Sequence, residues 1–318
     1  MVDEKGLYAR ALQRLREEFF LAHMGKTFTS DDVYRFFQID RKPNAVEAKK
    51  IIAQVLYNLS SVNKKPTLEQ TGKVYRIIDR NLNIIEWWNA KKGDTLSLKY
   101  PRGVEDNTSF GFEDSILMYP AGLIVIAGEG NTAKTAWCLN FMIENMDNYP
   151  CYYFTSEFND AKFLDRMSHF DWVDIYKDGK PKFTLAEHTA HWQDVIQPDA
   201  INIVDWIYIE DEMWKVRTVM KNIIAQLKRG IAVIVLQKRS YKMVGEGGEA
   251  TKDLADVYLT IRNDKELKKK VLKVEKVKSP RNGVDEEGNT ILNPNFREWS
   301  FDIVQSGSRF HNITALEK

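Results

Sequence analysis

Eight consecutive residues, Gly128, Glu129, Gly130, Asn131, Thr132, Ala133, Lys134 and Thr135, follow the spacing G-x-x-x-x-G-K-[ST], with Ala133 in place of the second glycine. The apolar run LIVIAG leads into them and TAWCLNFMIENM follows. A chain that leaves a buried strand, turns tightly and enters a helix points successive backbone N–H groups at an anion and adds the positive end of the helix dipole. Lys134 supplies a cation for the terminal phosphates of a nucleotide, and Thr135 a hydroxyl ligand for Mg²⁺. All eight residues are therefore candidates for binding ATP or a related nucleotide. A methyl group at Ala133 is accommodated if that residue already has the right-handed conformation that opens the helix, which is the expectation here.

Three further polar residues end apolar runs. Glu157 follows CYYFTS and could polarise an attacking water as general base. Asp205 ends INIVD, an apolar run plus aspartate that holds Mg²⁺ through its water shell. Gln237 ends IAVIVLQ, followed by Lys238 and Arg239, and its amide could sense a γ-phosphate.

The elements that must position these groups are legible from the same runs. LIVIAG, CYYFTS, AINIVD, IAVIVLQ and DVYLTI are continuous apolar strands, as found when both faces are covered. Helical segments such as TAWCLNFMIENM and EMWKVRTVMKNIIAQLKR lie between them. The alternation predicts an α/β domain over residues 114–318, a mostly parallel sheet with helices on both faces.

The residues before it read differently. Leu7, Leu12, Leu15, Phe19 and Phe20 recur at near-helical spacing, SDDVYRFFQI follows a cap at Thr29 or Ser30, and a third helix spans about Ala45 to Leu59. KKPTLEQTGKVYRIID then has a Thr-Gly-Lys turn between short extended runs. Three helices and a basic hairpin over residues 1–80 resemble a winged helix-turn-helix domain. In that motif the third helix enters the DNA major groove and the hairpin touches the backbone, which nominates Lys49, Lys50, Lys64, Lys65, Lys73 and Arg76. A solvated basic face without a nucleic-acid role has the same sequence signature. Residues 81–113 read as a linker whose Trp87 and Trp88 pack against one of the two domains, with an exposed base-stacking role as the alternative.

The segments FTSEF, IVDWI, IIAQLKRGIAVIVLQKRS, DLADVYLTIRND and LKVEKVKSPRNG, taken with the loop, resemble the RecA-like superfamily, and within it the ATPase domain of DnaB-type hexameric helicases. The resemblance spans about residues 114–305 and implies a RecA-like fold, self-association into a ring or filament, and ATP bound between subunits. A basic residue of one subunit then completes the site of the next, with Lys276, Lys278 and Arg281 as candidates and Ser279-Pro280 interrupting the family pattern. Lys242, in the Gly-rich segment after the fourth strand, would face a central channel and touch nucleic acid; a mobile surface loop has the same composition. The implied function is a DNA-dependent ATPase of replication or recombination, either a helicase-like motor or a loader. An ATP-switched DNA-binding regulator or plasmid or virus replication initiator, and a KaiC-like protein-interaction ATPase without nucleic acid, are the alternatives.

Composition narrows the setting. Hydrophobic residues make up 43% and charged residues 29%, as in globular chains, while the net charge of +1 is compatible with a local basic patch. No apolar stretch reaches the ~20 residues needed to cross a bilayer, and the N-terminus has no signal-peptide core. The expectation is a cytoplasmic protein with no membrane partner. Cys138 and Cys151 fall in a helix and a strand with no CxxC or Cys/His clustering, and are expected to be buried thiols.

Overall fold

The computed structural model describes residues 4–62, 66–80, 84–91, 93–207, 215–239, 242–284, 288 and 290–317. Two compact units divide the chain between Asn89 and Ala90.

In the smaller unit α1 (Glu4–Arg14) runs on through a wider turn at Leu15–Phe19, and β1 (Thr27–Thr29), α2 (Ser30–Phe36) and α3 (Ala45–Tyr57) follow. The hairpin β2 (Leu68–Thr71) and β3 (Val74–Ile77) completes an antiparallel sheet of order β1-β3-β2. Its two-residue turn is Gly72-Lys73, closed by Thr71 opposite Val74. Leu15, Phe19, Phe28, Val33, Ile52, Val55, Leu56, Leu68 and Ile77 form the core. Helix α2 begins where expected because Thr29 Oγ1 accepts from the Asp32 N–H at 3.3 Å while the Asp32 carboxylate accepts from the Thr29 N–H at 2.7 Å. Two orphan first-turn donors are satisfied reciprocally.

Trp87 and Trp88 do not pack as expected: they are 74% and 59% exposed. The linker is also shorter than the sequence pattern implies. Leu98, Tyr100, Phe110 and Phe112 are buried in the larger unit's core, and the Asn145 amide bonds both the N–H and the carbonyl of Lys99. Leu96, Leu98 and Tyr100 alternate with exposed Ser97 and Lys99, and Phe110 and Phe112 are two apart; these stretches are short, yet each large side chain removes a large apolar area from water on packing.

The larger unit is built on one sheet, with nine strands among the described residues. In chain order its elements are β4 (Leu123–Gly128), α4 (Lys134–Asn145), β5 (Cys151–Thr155), α5 (Asp160–Ser168), β6 (Thr184–Glu187), β7 (Ile201–Asp205), α6 (Val216–Ile224), β8 (Ile231–Gln237), α7 (Glu249–Leu254), β9 (Val257–Asp264), β10 (Lys269–Val277), β11 (Glu298–Val304) and β12 (Arg309–Leu316). The strand order is β12-β11-β10-β9-β4-β8-β7-β5-β6. From β9 to β6 all neighbours are parallel; β9 to β12 pair antiparallel. This is the RecA-like α/β architecture: the loop strand β4 is central and β8 separates it from the aspartate strand β7.

Alternate residues of each strand point to opposite faces. Ile124 and Ile126 face α4 and α5 through Trp137, Phe141, Phe163 and Met167. Leu123, Val125 and Ala127 face α6 through Val216, Met220 and Ile223. Both faces being covered explains why the strands read as unbroken apolar runs. Cys138 and Cys151 are both buried, and burial pushes their thiols well up from the ordinary value, to about 12 for Cys151. No helix among the described residues is long and apolar enough to cross a membrane.

The capping pair at the start of α2 predicts that Thr29→Ala lowers the stability of the smaller unit by about 1 kcal/mol. Urea unfolding followed by a probe in that unit measures it; an unchanged midpoint would remove the cap from the account.

Candidate functional site

The carboxyl ends of β4, β5, β7 and β8 open onto one cavity of about 560 Å³, lined by Gly130 to Ala136, Glu157, Asp205 and Gln237 among others. A crevice at the carboxyl ends of parallel strands is where ligands of open α/β sheets bind.

The loop is held by its own side chains. Lys134 Nζ donates to the Glu129 carbonyl at 2.6 Å and Thr132 Oγ1 donates to the same carbonyl at 2.9 Å. Gly128 has to be a glycine here, because a Cβ would come within 2.6 Å of the Ile261 carbonyl on β9. Ala133 departs from the expectation: its φ of 85° and ψ of 16° are left-handed, not the right-handed geometry of a helix start. The turn needs this conformation to aim its amides, and alanine adopts it at a cost of roughly 1–2 kcal/mol.

Asp205 is 1% exposed at the end of β7. Tyr153 Oη donates to its Oδ2 at 2.5 Å, and the Thr135 hydroxyl also bonds the carboxylate. Burial pushes the Asp205 carboxyl above the usual carboxylate range, and the Tyr153 and Thr135 hydroxyls oppose the rise. Burial likewise pulls the Lys134 ammonium down, opposed by the charges of Asp205 and Glu157. Glu157 is exposed, in the loop between β5 and α5. Its N–H donates to Thr155 Oγ1 at 3.1 Å, and the Asn159 side chain caps α5 just beyond. Gln237 pairs with Gly128 at the end of β8.

Thr135 and Asp205 thus bring two oxygen donors together where the loop meets β7. Hard oxygen donors beside room for water and phosphate oxygens suit Mg²⁺, which rarely relies on an all-protein cage. Among the described residues no group of three or more His, Cys, Asp or Glu forms such a cage. The donor set fits the cation.

Other residues in or behind the cavity wall were not read from the sequence. Tyr153 looks like strand filler until β5 is placed beside β7. Lys270, at the start of β10, donates to the Asn131 carbonyl at 3.0 Å and to Asn263 Oδ1 at 2.9 Å. The turn Gln305–Gly307 between β11 and β12 lines the far wall with Arg166 of α5, and the Gly307 carbonyl accepts from the buried Asn140 amide at 2.9 Å. Only the sheet order brings residues so distant in sequence to the loop.

The basic strand is divided by its direction. β10 runs antiparallel to β9, so Lys270 lies at the loop end while Lys276 and Lys278 lie at the opposite end. Lys276 Nζ donates to the Lys252 and Asp253 carbonyls near the end of α7, and Lys278 pairs with Asp256 at 3.4 Å. Arg281 is exposed, with no salt bridge among the described residues. The segment carrying Lys242 is anchored rather than loose: the Gly245 N–H donates to Tyr258 Oη at 2.9 Å, and a Cβ on Gly245 would come within 2.9 Å of both Ala127 and Leu236. Lys242 itself is exposed.

In the smaller unit Lys50 and Lys73 are exposed. Lys49 pairs with Asp40 at 2.5 Å and Arg76 with Glu69 at 2.5 Å. Lys64 and Lys65 lie outside the described residues.

No family model and no curated protein matches this chain. Among solved structures it is similar to a KaiC-like protein from the hyperthermophilic archaeon Pyrococcus horikoshii, at 14% identity over 69% of this chain and 100% of that one, with a TM-score of 0.48.

The left-handed Ala133 generates a prediction. Ala133→Gly should raise thermal stability by about 1 kcal/mol, since glycine adopts this conformation without the Cβ penalty and loses part of that gain to its freer unfolded chain. A lowered melting temperature would contradict it.

Proposed function

We propose that this chain is a Mg²⁺-dependent, RecA-like ATPase that acts as an oligomer on DNA, in replication or recombination, as a helicase-like motor or a loader of one. The observation that carries the catalytic part is the convergence of the phosphate loop, Glu157, Asp205 and Gln237 on one cavity. The loop amides and Lys134 hold the phosphates, Thr135 and Asp205 hold the cation, and Glu157 accepts the proton of the attacking water. When bound, Mg²⁺ neutralises charge on the β- and γ-phosphates. Gln237 reads the γ-phosphate, a role supported by its register beside Gly128 at the end of β8.

The DNA part rests on the smaller unit. Its order of helix, strand, two helices and a hairpin, with the sheet β1-β3-β2, supports a winged-helix reading. Among the nominated cations, Lys50 on α3 and Lys73 at the hairpin tip are exposed and are assigned phosphate contact. The pairing of Lys49 and Arg76 with carboxylates favours a second reading, a KaiC-like ATPase whose smaller unit meets protein instead.

Assembly rests on Arg281. Lys276 and Lys278 are engaged within the subunit, so Arg281 is the candidate to complete a neighbour's site, where such a residue raises turnover by ~10³–10⁵.

Lys134→Ala should abolish ATP binding in calorimetry, while Glu157→Gln should keep ATP and lose about 10²-fold or more in hydrolysis. Unchanged ATP affinity in the first variant, or parental turnover in the second, refutes the corresponding role. Mixing Lys134→Ala with Arg281→Ala subunits should restore hydrolysis that neither has alone; a mixture that assembles yet stays inactive rules out the trans arrangement. Filter binding of the full chain to duplex and single-stranded DNA at two salt concentrations separates the two readings. Affinity that falls steeply with salt, and falls less steeply in Lys50→Ala/Lys73→Ala, supports DNA; no retention at low salt supports the protein partner.

A further inference from the structure

One buried polar group behind the cavity touches neither the loop nor solvent. Tyr153 lies in the middle of β5, fully buried and flanked on the same strand by Tyr152 and Phe154. Phenylalanine would fill the same space against Phe163 without a hydroxyl to satisfy. A buried hydroxyl costs free energy unless it is bonded, and this one donates to the Asp205 carboxylate, 2.5 Å away on the adjacent strand. Registers fix the meeting, since Tyr153 lies opposite Ile203 and Thr155 opposite Asp205.

We propose that Tyr153 is a positioning residue that holds the Asp205 carboxylate in the orientation needed to take the divalent cation. An ionised carboxylate offers about four lone-pair sites and rotates freely about its last bond. The phenol ties down Oδ2 and stops that rotation. The remaining acceptor sites then face Thr135 and the water shell of the cation. This is the arrangement by which an outer residue orients a metal-holding carboxylate, and loss of such a partner typically weakens metal binding 10–100-fold. The inference rests on the nucleotide and Mg²⁺ reading given above.

The test is calorimetric titration of ATP into the full chain at a series of Mg²⁺ concentrations and in EDTA, for the parent, Tyr153→Phe and Tyr153→Met. Both variants should bind ATP in EDTA within twofold of the parent, and should need about 10-fold more Mg²⁺ to reach half of the Mg²⁺-dependent gain in affinity. In an Asp205→Asn background the Tyr153→Phe change should shift the Mg²⁺ requirement no further. An unchanged requirement in the single variants overturns the proposal, as does an equal loss of affinity with and without Mg²⁺, which marks a packing role. An additional shift in the Asp205→Asn background overturns it too. A parent that binds no ATP overturns the nucleotide reading itself, and a parent that binds ATP while the variants match it overturns the role of Tyr153 alone.

Discussion

A carboxylate taken almost wholly out of water at the end of a parallel strand must be surrounded by donors, or it will neutralise itself. Asp205 is that group, and its surroundings set the arrangement of the larger unit. Its partners come from two places: Tyr153 from β5, and Thr135 with the charge of Lys134 from the start of α4. They reach it only if β5 lies beside β7 and β4 lies one strand beyond, with β8 between. A different strand order would leave the charge buried and unanswered. Polar satisfaction and hydrophobic burial therefore select the same topology.

The loop depends on that arrangement in turn. Its side-chain bonds to the Glu129 carbonyl close a tight ring, and Gly128 passes close to the β9 backbone. Left-handed Ala133 is tolerated because these neighbours fix the turn more strongly than one methyl opposes it. Lys270 adds an external tie from β10, so the loop is braced on both sides.

Much of this was legible in the chain. Continuous apolar runs gave the five central strands, because both faces of the sheet are covered. The loop pattern is local, Asp205 and Gln237 each end a strand that could be seen, and Glu157 follows one closely. What could not be read depends on which strands are neighbours. Tyr153, Lys270 and Gly307 are unremarkable residues until sheet order places them. The packing of Leu98, Tyr100, Phe110 and Phe112 was missed because their alternating stretches are short and the Gly-, Asp- and Asn-containing residues between them look like a connector. The conformation of Ala133 was misjudged for a similar reason: one residue's φ is dictated by the turn as a whole and not by its own side chain. In the smaller unit, Lys49 and Arg76 read as free cations, and only the fold shows the carboxylates beside them.

The hydrogen bond from Asn140 to the Gly307 carbonyl joins positions 167 residues apart. Such a contact makes the cavity a late product of vectorial synthesis, for α4 and the loop emerge long before the turn that walls them. Closing so long a stretch of chain is slow. Until it happens the loop lacks the wall that Gln305–Gly307 give its cavity, so the crevice is shaped by the last strands of the sheet as much as by the loop itself.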